Sequence, residues 1–126
     1  MDVTLNDKLS AASANGDVSA VLGLLRAGAS VNGTNSFGRT AVQVMMMGST
    51  PVARALLRHG AEPRAADPST GATPLHDAAG AGFLDTVRLL LQHRADPRAR
   101  DHANRLPADV ARKNKHDKVA AFLESL

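Results

Sequence analysis

The feature that most constrains this chain is a repeat of about 33 residues, because a period of that size decides the architecture before any local structure is assigned. The pair Gly28-Ala29 returns as Gly60-Ala61 and, with Arg in place of Gly, as Arg94-Ala95. Leu24-Leu25 returns as Leu56-Leu57 and Leu90-Leu91, and ends as Phe122-Leu123. Gly16, Gly48 and Gly82 precede those pairs, with Lys115 in the fourth place, and Asn35, Asp67 and Asp101 open successive repeats. A chain of 126 residues has room for one domain. Its expected limits are 1–126, with repeats at about 4–34, 35–66, 67–100 and 101–126. One such repeat cannot bury its own apolar faces, so the four must stack as a solenoid.

The third repeat carries the clearest pattern, Gly71-Ala72-Thr73-Pro74-Leu75-His76-Asp77-Ala78-Ala79. Thr73 is placed to cap a helix whose first residue is Pro74, where a missing N–H costs nothing and the fixed φ helps. Ala78 and Ala79 leave room for a neighbouring helix, and Gly82 ends the run. A second helix follows, its apolar stripe at i, i+3 and i+4: Val87, Leu90 and Leu91 here, Val21, Leu24 and Leu25 in the first repeat, and Val119, Phe122 and Leu123 in the last. Gly28 and Gly60 fall where a helix end favours a left-handed residue. The pattern Thr73-Pro74-Leu75-His76 followed by a variable residue and Ala resembles the ankyrin signature. The expected fold class is an all-α repeat solenoid of four ankyrin repeats, each a helix-turn-helix with a projecting β-hairpin loop. With no Trp or Tyr and only three Phe, its core is built from Ala, Leu and Val.

Two irregularities set the second repeat apart. Thr40 to Gly48 is one residue shorter than Thr73 to Gly82, and the intervening Val42-Gln43-Val44-Met45-Met46-Met47 has neither a Pro start nor an Ala pair. A turn or distorted helix is expected there, making the second repeat the weak point. The third loop is expected to be larger, since Asp67 to Gly71 spans one residue more than Asn35 to Gly38.

Composition excludes several functions. No cysteine is present, which removes disulfides and thiolate chemistry. The N-terminal residues lack the basic and apolar regions of a secretory signal, and a soluble intracellular chain is expected. The net charge of +3 is spread over both halves of the sequence, and the basic stretch Arg112-Lys113-Asn114-Lys115-His116 has no aromatic residues for base stacking, so it reads as a solvated helix end rather than a nucleic-acid patch. No nucleophile has a recognisable setting, no Walker-type loop or zinc spacing occurs, and the five histidines are scattered. Neither an enzyme, a cofactor nor a metal site is expected.

The sequence resembles a narrower family in Asn35-Ser36-Phe37-Gly38-Arg39, Val44-Met45-Met46-Met47-Gly48-Ser49, His59-Gly60-Ala61-Glu62-Pro63, Ala66-Asp67-Pro68, His76-Asp77-Ala78-Ala79 and Gly82-Phe83-Leu84-Asp85-Thr86. These segments look like the ankyrin-type cyclin-dependent kinase inhibitors, the four-repeat, tumour-suppressor members above all. The resemblance implies a monomer that binds the kinases partnering D-type cyclins beside the ATP cleft. Binding turns the two lobes against each other and weakens cyclin attachment, which restrains G1 progression from the cytoplasm and nucleus. It implies no nucleic-acid or membrane partner. The positions it carries over as kinase contacts are Met45, Met46, Asp67, Thr70, His76, Asp77, Phe83 and Asp101, with Asp77 meeting an arginine of the small lobe. Departures stand at Ser19 in place of an acidic residue and at Thr73 and Gly80 in place of arginines, so those contacts are not carried over.

The residues themselves divide these positions. Asp77 lies in a first helical turn, where a carboxylate suits the macrodipole, but on an exposed variable place that favours contact. His76 belongs to the repeat signature and favours a structural hydrogen bond. Phe83 favours packing against its helix. Of the three methionines a shortened helix cannot hide all, and core and contact remain open for the run. The competing function is a non-inhibitory ankyrin adaptor for another protein, since fold does not fix function.

Overall fold

The computed structural model describes residues 2–126; Met1, the first residue of the expected domain, lies outside them. Eight helices occur among the described residues: α1 (Asp2–Ala14), α2 (Val18–Arg26), α3 (Ala41–Val44), α4 (Thr50–Arg58), α5 (Pro74–Ala81), α6 (Leu84–Gln92), α7 (Pro107–Lys113) and α8 (Asp117–Glu124). They fall into two compact units, an N-terminal one ending at Glu62 and a C-terminal one from Pro63 to Leu126, each holding two helix pairs.

The second helix of each of the first three repeats is closed by the same device. The Ala29 N–H donates to the Leu24 carbonyl and the Gly28 N–H to that of Leu25; Ala61 and Gly60 do the same with Leu56 and Leu57, and Ala95 and Arg94 with Leu90 and Leu91. This six-to-one and five-to-two pairing satisfies the last carbonyls of a helix and needs a left-handed residue. Gly28 and Gly60 supply it at φ 101° and 89°, and Arg94 adopts it at φ 73° against the preference of a side-chain-bearing residue. Lys115, which replaces the glycine ending the first helix, does likewise at φ 66°. The repeat pattern thus holds even where the glycine does not.

In the N-terminal unit α1 packs on α2 and α3, and α2 on α4. Its core is Leu9, Ala12, Val21, Val42, Met45, Val52 and Leu56, whereas Leu24 and Leu25 of the first repeat are half-buried. In the C-terminal unit α5 packs on α6 and α7, and α8 on α6 and α7, around Leu75, Ala78, Ala79, Val87, Leu90, Ala111, Val119 and Leu123. The small residues set the spacing. A Cβ added at Gly80 would sit 2.7 Å from Val110 Cγ1, and the Asn114 amide donates to the Gly80 carbonyl at 2.8 Å. The departure at Gly80 is therefore part of how α5 and α7 approach each other.

The distortion expected in the second repeat is larger than one residue. α3 has four residues against eight in α5. Met45 turns extended at ψ 155°, and the Met46 N–H leaves the helix to donate to the Ser13 carbonyl of the first repeat at 2.8 Å. With one residue missing, a full second turn would leave too little chain to reach Ser49, the cap of α4, so the chain unwinds and pairs with its neighbour instead.

The projecting loops are turns held by a side chain, and no strand occurs among the described residues. Asn35 accepts the Phe37 and Arg39 N–H groups, Asp67 accepts that of Ser69, and Asp101 accepts those of Ala103 and Arg105. Each loop then closes with one backbone bond, from Asn35 to Arg39, Asp67 to Ala72 and Asp101 to Arg105, the middle one spanning the extra residue. A single closing bond does not make a ladder, so the chain leaves as a turn.

Candidate partner-binding surface

In the C-terminal unit the expected contact residues separate into exposed and buried sets. Thr70, Asp77 and Phe83 are exposed, and Asp67 is half-buried. Phe83, carried over as a contact although the residue itself favoured packing, is 43% exposed, because it precedes α6 as the residue at which the chain enters the helix and its ring is not on the α6 stripe. The Asp77 carboxyl, in the first turn of α5, has its pKa pushed up to about 6, first by partial burial among its neighbours and then by the negative charge of Asp67. Two carboxyls held near each other repel, and a cation placed between them relieves both.

His76 and Asp101, carried over as contacts, are corrected: both are buried, at 2% and 6% exposure. The Thr73 N–H donates to His76 Nδ1 at 3.1 Å, so Nε2 carries the proton and donates to the Arg105 carbonyl at 2.8 Å. Thr73 Oγ1 lies 2.9 Å from Nδ1 and accepts the His76 N–H. His76 thereby ties the start of α5 to the following loop. Asp101 holds that loop: burial alone would raise its pKa, but the Arg105 N–H, the Arg105 guanidinium at 2.8 Å and the Ala103 N–H together lower it. Both side chains are engaged within the repeats, holding the start of α5 and the loop after it. Thr73, one of the departures, is buried as the α5 cap.

In the N-terminal unit the methionines divide. Met45 is 3% exposed and belongs to the core, a correction to its place among the contacts, because the extended backbone at this residue turns its side chain inward; Met46 is 47% exposed. Met46 lies over Gly16, where an added Cβ would come 2.8 Å from its sulfur. Phe37 was overlooked as an exposed aromatic side chain. It stands at the tip of its loop, 79% exposed, beside a recess of about 400 Å³ lined by Asp7, Ser10, Asn35, Ser36 and Val44. An aromatic residue between Asn35 and Gly38, in a stretch with no apolar periodicity, is the signal that finds it. The Ser10 hydroxyl there is buried without a hydrogen-bond partner.

Each unit thus exposes apolar side chains, Phe37 and Met46 in the N-terminal one and Phe83 in the C-terminal one, which also carries the Asp67 and Asp77 carboxyls. Among the described residues no cluster of potential metal ligands occurs, and no helix is long and apolar enough to cross a membrane.

Residues 9–101 match the family described as ankyrin repeats, in three copies. The chain is 52% identical to human cyclin-dependent kinase 4 inhibitor B over 120 residues, 95% of this chain and 87% of that protein. It is 52% identical to human cyclin-dependent kinase inhibitor 2A over 119 residues, 94% of this chain and 76% of that protein, and 50% identical to the rat cyclin-dependent kinase 4 inhibitor B over 117 residues, 93% and 90% of the two.

Proposed function

Because this chain belongs to the ankyrin-repeat family of cyclin-dependent kinase inhibitors, we propose that it inhibits a cyclin-D-dependent kinase by direct binding, without catalysing a reaction, and so restrains G1 progression. The observation that carries the reading is the Asp77 carboxyl, exposed on the first turn of α5 and raised in pKa to about 6 by partial burial and by Asp67. An arginine of the kinase small lobe compensates that repulsion with charge-assisted bonds. Thr70 and Phe83 are the further contacts we assign in the C-terminal unit; in the N-terminal unit we assign Met46 and Phe37. His76, Asp101 and Met45 act from beneath. The same reading takes the protein to be monomeric before it binds and to work in the cytoplasm and nucleus.

Calorimetric titration into the monomeric kinase tests the assignment. Asp77→Asn is expected to weaken binding by about 1.5 to 3 kcal/mol while its thermal midpoint does not fall. Unchanged affinity in the folded variant removes Asp77 from the contact. Tight binding without loss of kinase activity makes the protein an adaptor.

A further inference from the structure

In the N-terminal unit α2 and α4 lie side by side, and their outer stripes enclose a second recess, of about 290 Å³, lined by Val18 and Leu22 of α2 and by Pro51, Arg54, Arg58 and His59. None of these is a residue assigned to kinase contact. Val18 and Leu22 are half-buried, so apolar side chains face solvent within the recess, while Arg54, Arg58 and His59 are exposed.

Arg54 and Arg58 have no acidic neighbour along the chain: no Asp or Glu occurs between Val18 and Gly60. The acid just before that stretch, Asp17, is engaged as the α2 cap, accepting the Ala20 N–H. Arg54 and Arg58 stand four apart on α4 and repel each other, and neither forms an ion pair among the described residues. The helix dipole explains Arg58, in the last turn of α4, but not Arg54 in its middle. In the C-terminal unit the arginines on and near the corresponding helices are engaged internally. Arg88, which holds the place of Arg54 in its repeat, lies over the Phe122 ring with 5.1 Å to the centroid, and Arg112 pairs with Glu124.

We propose that the outer face of α2 and α4 docks an acidic segment of a protein partner, with an apolar side chain entering between Leu22 and Pro51 and carboxylates pairing with Arg54 and Arg58. Charge complementarity selects acid, and the recess selects a side chain, being at the small end of ligand pockets. An anionic membrane fits less well. Interfacial helices present projecting apolar side chains, and the large exposed ones, Phe37, Met46, Phe83 and Leu126, all lie off α2 and α4.

The test uses the whole protein and a fluorescein-labelled peptide of repeating Leu-Glu-Glu, followed by anisotropy at physiological salt and by amide shifts in nuclear magnetic resonance. Saturable binding with shifts confined to α2 and α4 is expected. Arg54→Glu creates a favourable i,i+4 pair with Arg58, so its thermal midpoint should hold or rise. Its peptide affinity should nevertheless fall on the order of tenfold, as expected for losing a charge-assisted contact. Arg88→Glu should leave peptide affinity unchanged, and Arg54→Glu should leave kinase binding unchanged, which keeps this proposal separable from the inhibitory one. No saturable binding up to about 1 mM peptide, the limit of a weak specific contact, overturns it. So does equal affinity in Arg54→Glu, or binding only to phosphatidylserine vesicles.

Discussion

The starts of α3 and α5 show how one pattern yields two structures. Thr40-Ala41-Val42-Gln43 and Thr73-Pro74-Leu75-His76 occupy the same place in successive repeats, and in each the fourth residue reaches back to the N–H of the first, Gln43 Oε1 at 2.7 Å and His76 Nδ1 at 3.1 Å. There the likeness ends. His76 has a second nitrogen that donates forward to the Arg105 carbonyl, and Thr73 Oγ1 accepts the His76 backbone N–H, whereas the buried Thr40 hydroxyl has no partner. α5 runs eight residues to the left-handed Gly82; α3 stops after four. Helix length here follows from how the cap is tied to its neighbour and from how many residues remain before the next helix, more than from propensity.

The sharpest way to break this comparison is to remove the two capping side chains. His76→Ala leaves the buried Thr73 N–H unpaired and removes one of the two bonds that the Arg105 carbonyl accepts, and should cost on the order of 3 kcal/mol, whereas Gln43→Ala loses only a local cap, about 1 kcal/mol. His76→Gln should fall between, keeping the cap and losing the forward bond. Denaturant melts rank the three, and equal losses for His76→Ala and Gln43→Ala would mean that the forward bond adds nothing. A smaller effect is expected without mutation. The amides of α3 and the 45–48 link should exchange at least about tenfold faster than those of α5, the mark of a segment with few native bonds. Uniform protection across both would contradict a second repeat that opens first.

The smallest effect is the pH response of Asp77. Its native pKa of about 6 lies above the ordinary carboxylate range near 4, so the folded protein holds this proton more tightly than the unfolded chain. Stability from this group therefore falls as pH rises from about 4 to about 6, and Asp77→Asn should flatten that slope. Asp101 has the opposite sign: its lowered pKa contributes stability above the ordinary range that is lost as pH falls below it. Kinase affinity should run against the Asp77 stability term, strengthening as pH rises through about 6, because the guanidinium needs the carboxylate. A pH-independent affinity from 5.5 to 7.5, by calorimetry, would separate Asp77 from the contact.

Much of this was legible in the residues because it is local. The caps at Thr73-Pro74, the left-handed glycines, the Ala78-Ala79 pair and the shortened second repeat are all set by neighbours in sequence. What escaped depends on other repeats or on irregular backbone. Met45 and Met46 differ in burial because the chain leaves the helix between Val44 and Met46, where no period assigns faces. His76 looked like a member of the signature and of the surface at once, and only the Arg105 carbonyl decides between them. Phe83 itself favoured packing because a helix entry has no stripe to place it on. The Asp77 pKa is set first by burial and then by Asp67, ten residues back in the preceding loop.

The central claim is that binding by this protein stops a kinase, and one titration tests it most directly. Substrate phosphorylation by the cyclin-D-partnered kinase should fall saturably as the protein is added, and raising ATP should restore it only partly if the protein's site is coupled to the ATP position and does not overlap it. Full activity at a protein concentration that calorimetry shows to be saturating would contradict the account.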